Sequence, residues 1–181
     1  RPMAMPSTGM PVLEFSLEHV SARLAGSFLR IVGPVSVDAP SIEFLVRNSV
    51  FSHPQHSPFV VSESTIAPED ARRMVAWQGE RNFFDDLSVF WLIESSDDLL
   101  SWDDWRDLSQ PDGNVGSKNL PVDWLVAKPF EQLAGTGELT IDAFQFAPGT
   151  SQPNPAIQGA TDGSDAGATL TDLPVRGVLE L

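Results

Sequence analysis

The densest group of reactive side chains lies between Asp85 and Asp112, where nine carboxylates accompany a single base, Arg106. Calcium takes about six to eight oxygen ligands. Asp97, Asp98, Asp103, Asp104 and Asp107 have the right chemistry for that ion, although their spacing is not that of an EF-hand loop. Trp102 and Trp105 stand among these acids. A flat indole face stacks on a sugar ring while carboxylates take its hydroxyls, so Trp102, Trp105, Asp103 and Asp104 form a candidate ligand-binding set. The plainer reading turns both rings toward a core at helical spacing and leaves the acids on a solvated face. Asp97 and Asp98 would then accept amide protons at a helix N-terminus.

Two further spacings invite metal. His53-Pro-Gln-His56 offers two imidazoles that zinc can use, with Glu63 as a third donor. The flanking prolines make an exposed loop the simpler expectation. Asp162-Gly-Ser-Asp165-Ala-Gly167 has the composition of a turn as much as of a cation loop. No cofactor is called for, and calcium is the one ion the acids suit.

Catalytic patterns are missing. The chain has no Gly-x-Ser-x-Gly elbow, phosphate-cradling glycine loop, dinucleotide fingerprint or His-Glu-x-x-His. No catalytic residue is assigned. Its abundant carboxylates keep a carboxylate-dependent hydrolase as an alternative, because the two acids of such a site can be distant in sequence.

The charge balance narrows the partners. There are 25 acidic against 11 basic residues, a formal net charge of −14. Such a surface repels phosphate backbones and anionic membranes, so neither nucleic acid nor a membrane is expected as a partner. Cysteine is absent, which excludes disulfides and thiol chemistry. No apolar run approaches the ~18 residues of a membrane span. The chain starts at Arg1 with no signal-type stretch, as expected after removal of a leader or excision from a precursor.

These residues must be positioned by mostly extended chain. Residues 1–11 read as a proline-rich extended arm, and 12–181 as a single β-rich domain. Leu13, Phe15 and Leu17 alternate with Glu14, Ser16 and Glu18, the pattern of a strand with one wet face. Phe28–Val32, Ile42–Phe51, Phe59–Val61, Leu87–Glu94, Val122–Ala127, Glu138–Phe146 and Val175–Leu181 are further expected strands. A helix is expected from Pro68 to Gln78, with Glu69 and Arg73 spaced for an ion pair. A second is expected over Leu99 to Leu108, and a helical turn near Phe130. No internal repeat is evident. Seven to nine strands with one or two short helices suggest a β-sandwich or jelly roll, with a small β-barrel as the alternative.

One segment carries a family resemblance. Phe90-Trp-Leu-Ile-Glu-Ser-Ser-Asp-Asp-Leu-Leu-Ser-Trp102 resembles the strand–turn–Trp segment of discoidin-type, galactose-binding-like β-sandwiches, without their turn glycine and bridging cysteines. The resemblance implies a sandwich.

Ala147 to Pro174 differs in kind, with no Lys, Arg or aromatic residue and few large apolar groups. Such a stretch has little to offset its ordering entropy. It is therefore expected to borrow order from neighbours, as is the N-terminal arm. The function this implies is a non-enzymatic structural or interaction subunit of a larger assembly. A virion coat (capsid) or decoration protein, or a surface filament subunit, would fit, and an extracellular or virion setting is favoured. Its partners would be copies of itself or other assembly subunits, joined through the arm and the 147–174 excursion into an oligomer. The carbohydrate-binding sandwich is the alternative.

Overall fold

A computed structural model describes residues 12–33, 39–53, 57–108, 113–149 and 152–169. The expected arm at 1–11, the Val175–Leu181 strand, His56 and the 170–174 end of the excursion lie outside them. Within them the chain is mainly β, with twelve strands in three sheets and three short α-helices.

The strands wind as successive coils. The first coil contains β1 (Val12–Glu18), β2 (Ser21–Arg23) and β3 (Leu29–Ile31). The second contains β4 (Ser41–Arg47), β5 (Val50–Ser52) and β6 (Val60–Ser62). After helix α1 (Pro68–Met74), the third contains β7 (Val75–Glu80), β8 (Phe83–Asp85) and β9 (Trp91–Ile93). Each strand pairs in parallel with its counterpart one coil on: β1 with β4 and β4 with β7, β2 with β5 and β5 with β8, β3 with β6 and β6 with β9. Strand β10 (Asp98–Leu100) turns back antiparallel to β9 and leads into α2 (Trp102–Leu108). A partial fourth coil, β11 (Asn114–Val115) and β12 (Lys118–Asn119), extends two sheets. This is a short, three-sided parallel β-solenoid.

The mainly-β expectation holds. The sandwich, jelly-roll or barrel arrangement is not borne out, because those folds are built chiefly on antiparallel strands, whereas eight of the nine ladders between the described strands are parallel and only β10–β9 runs antiparallel.

The corner between the first and second sheets is built alike in every coil. His19, Asn48, Arg81 and Gly116 sit there at φ of 51°, 51°, 51° and 66°. One left-handed residue turns the strand sharply at small cost, since the flanking residues stay extended. The next residue of each coil then bridges to its neighbour. The Val20 N–H donates to Ser49 Oγ (3.1 Å), the Ser49 N–H to Asn82 Oδ1 (3.1 Å), and the Asn82 N–H to Ser117 Oγ (3.0 Å). Asn82 Nδ2 also donates to the Val46 carbonyl at 2.8 Å. Ser49 and Asn82 are fully buried, so these side chains satisfy backbone groups that no water reaches.

Inside the coil an aromatic column fills the lumen. Phe15 stacks on Phe44 at 5.3 Å between ring centroids, and Phe44 meets Trp77 at 5.7 Å. Phe28, Phe51, Phe59, Phe84 and Phe90 complete it. Local pattern yields to this ladder at one place. The expected Pro68–Gln78 helix stops at Met74, because Val75, Ala76 and Trp77 pair with Ile42, Glu43 and Phe44 instead. Arg73 accordingly bonds Asp70 at 2.8 Å rather than Glu69.

The outer face of the second sheet is covered by the chain from Leu120 onward. Val50 and Phe83 point outward and pack with Val122, Trp124, Phe146, Ala156 and Ala166. Arg23 crosses this layer, its guanidinium 4.4 Å over the Trp124 ring and bonded to the carbonyls of Val126, Ala127 and Ala143. Burial pushes that guanidinium's pKa down, and Asp85 opposes the shift. The segments expected as strands here are held otherwise. Val122–Ala127 and Glu138–Phe146 share only one bridge, between Trp124 and Phe146, and the second segment holds a 3-10 turn at Ile141–Phe144, while the helical turn expected near Phe130 is helix α3 (Pro129–Thr136).

The excursion corrects its energetic premise. Residues 152–169 take their shape from their own chain. Small residues at Ala156, Gly159, Ala160, Ala166 and Gly167 are buried and let the backbone lie close to the coil. Asn154 Nδ2 donates to the Asp123 and Ala147 carbonyls at 2.7 and 2.9 Å. Asn48 exchanges bonds with Thr161, the Gly167 N–H donates to the Asn48 carbonyl at 2.6 Å, and the Ala168 N–H donates to Ser21 Oγ at 2.9 Å. Polar anchoring supplies what apolar mass cannot.

Two outcomes follow. Asn82→Leu keeps the volume but orphans the Ser49 N–H and the Val46 carbonyl, at about 1–3 kcal/mol for each buried group left unpaired. The urea midpoint should fall with the m-value unchanged. Gly167 has φ +86°, and a Cβ there would collide with Ser21 Oγ. Gly167→Ala should therefore expose 152–169 to limited proteolysis while the coil stays folded.

Candidate functional site

The acid-rich region is the first to resolve. Helix α2 lies across the far end of the lumen, and Trp105 is only 2% exposed. Its ring meets Phe59, Trp77, Phe90 and Trp91 at 5.5–6.1 Å. Trp102, half-buried, packs on Phe84 and Phe90 at 5.4 and 5.0 Å and lies under the Arg106 guanidinium. Of the expected sugar platform, Trp105 offers no flat face to solvent, and Trp102 is in contact with Phe84, Phe90 and Arg106. The two tryptophans plug a core.

The acids beside them work on the helix itself. Asp104 Oδ2 accepts from the Ser101 hydroxyl (2.7 Å) and N–H (2.9 Å), and the Asp104 N–H returns a bond to Ser101 Oγ. That is a reciprocal cap made by Ser101, not by the expected Asp97 and Asp98. Asp103 pairs with Arg106 at 2.7 Å and Asp98 with Arg72 at 3.3 Å. Among the described residues no group of three His, Asp or Glu side chains is arranged to hold a metal ion. His53 is buried, and its Nδ1 accepts the Ser57 N–H at 3.2 Å. Asp165 and Asp162 accept the N–H groups of Gln158 and Ser164, as turn residues do.

The near end of the solenoid is built differently. β1 is the outermost strand of its sheet, as β2 and β3 are of theirs. Phe15 and Leu17 face the lumen with Phe44 and Val46, yet no helix or strand among the described residues covers this end as α2 covers the other. Leu13 is 49% exposed, Phe15 47% and Val32 59%.

The backbone of β1 also has a side that no strand among the described residues pairs. The His19 N–H donates to the Arg47 carbonyl of β4. Peptide groups alternate sides along a strand, so those of Val12, Glu14, Ser16 and Glu18 point away from β4. An exposed strand edge with an apolar face is a template for another strand. Sequence reasoning identified β1 by its alternation but did not mark it as an edge, because edge position depends on pairing.

Compared with protein-family models, curated proteins and solved structures, the chain matches none.

The Asp104 cap carries a pH signature. The Ser101 hydroxyl, and then its N–H, hold the Asp104 carboxyl below the usual carboxylate range. A depressed folded value means that the cap's contribution is present above about pH 4 and is lost as pH falls through the folded pKa. Carbon-detected NMR titration should place Asp104 below an ordinary aspartate, and Ser101→Ala should return it to the ordinary range.

Proposed function

We propose that this chain is a non-enzymatic structural or interaction subunit of a larger assembly, and that the open end of its solenoid is the docking face. The observation that carries this reading is β1. It is a seven-residue strand whose outward peptide groups pair with no strand among the described residues, with the apolar residues Leu13 and Phe15 exposed beside them. Folded proteins usually shield such edges with charge, proline, bulges or a covering element, and solenoids usually close their ends with polar caps. Here the far end has its cap and the near end shows none among the described residues.

The catalytic alternatives find less support. Asp98, Asp103 and Asp104 are engaged in a helix cap and in ion pairs. Residues 152–169 are held on their own chain, which leaves the β1 edge as the better supported contact.

Ser16→Pro tests the reading. It deletes one free-side donor and leaves the bonds to β4 in place, since proline is tolerated on the outer side of edge strands. The chain, taken from its native source, should run in a particle larger than one 19.7 kDa chain. The variant should leave that particle while its circular dichroism is unchanged. A monomeric native chain would refute the proposal.

A further inference from the structure

We infer that the occupant of the β1 edge is a second copy of this chain, joined about a two-fold axis through Phe15; this rests on the docking reading above. Two-fold pairing of a strand edge with itself admits few arrangements. Only an axis normal to the sheet keeps both lumen faces on the same side, and that axis makes β1 antiparallel to its mate. The pleat then requires inward residues to face inward residues. Three registers overlap at least five of the seven residues Val12–Glu18 under these conditions, centred on Glu14, Phe15 or Ser16.

Charge chooses among them. Centring on Glu14 sets that carboxylate against its own copy. Centring on Ser16 sets Glu14 against Glu18 twice. Like charges directly opposite destabilise a pair of strands. Centring on Phe15 overlaps all seven residues and opposes no charges: Val12 faces Glu18, Leu13 faces Leu17, Glu14 faces Ser16 and Phe15 faces itself.

The backbone agrees with this register. The outward-pointing peptide groups of Val12, Glu14, Ser16 and Glu18 become the hydrogen-bonded pairs. Phe15 falls at a non-hydrogen-bonded position, where side chains approach most closely. Each Phe15 ring already stacks on Phe44. The two aromatic columns would therefore meet end to end and cover the exposed Leu13 and Phe15.

Single-cysteine crosslinking tests the register, and the absence of native cysteine keeps it clean. Under mild oxidation the full chain carrying Phe15→Cys should form a disulfide dimer in high yield. Glu14→Cys should not, because residue 14 faces 16 of the mate. Sedimentation of the unmodified chain should give twice 19.7 kDa, and Ser16→Pro should return it to one chain. Crosslinking through Glu14→Cys instead, or a monomer at about 100 μM (a concentration at which a micromolar contact is saturated), overturns the two-fold. If the purified chain is monomeric while the native-source particle is still lost on Ser16→Pro, the second copy is wrong and the docking edge stands. If neither depends on Ser16, both fall.

Discussion

The column of polar side chains at the first corner is what makes the remaining architecture possible. A parallel coil must turn three times per circuit without leaving buried peptide groups unpaired. At this corner each coil hands its N–H to the side chain of the next, from Val20 to Ser49 to Asn82 to Ser117. Because the left-handed residue just before is also repeated, the coils register on one another at a fixed point. The phase of the inward residues follows from that point. Phe15, Phe44 and Trp77 stack because their corners do.

Much of this was present in the sequence but not readable from it. The strand at β1 announced itself through strict alternation, since one of its faces meets the lumen and the other meets water. The coil repeat did not. Successive left-handed corners occur at His19, Asn48, Arg81 and Gly116, so the spacing varies from 29 to 33 to 35 residues. Their residue types share only tolerance of that backbone conformation. The variation arises at the third corner, where a short loop, then α1, then β10 and α2 are inserted. A fixed-period search fails on such a chain although its geometry is regular. Ile42–Phe51 shows the same difficulty, because its apolar run is broken at Asn48 and Ser49 into two strands of different sheets.

The candidate site was half legible. Trp102 and Trp105 were visible as a pair, and helical spacing correctly admitted an inward orientation. What they plug depends on the lumen, which no local pattern describes. Residues 152–169 are ordered by a means that composition does not register. Counting large apolar residues treats burial as the sole source of order, whereas Asn48 holds Thr161 by its hydroxyl and N–H, and Asn154 within the segment donates outward to the Asp123 carbonyl. Its alanines and glycines contribute by being small.

The parallel ladders also set how the molecule comes apart. Each coil touches mainly the coils before and after it, so order spreads along the axis from neighbour to neighbour. Among the described residues the second coil is supported on two sides and the first on one. Thermal fraying should thus begin at β1 and advance inward, making this protein's weakest link the strand whose apolar residues Leu13 and Phe15 lie exposed. Anything that seats there acts as a clamp on the whole spring.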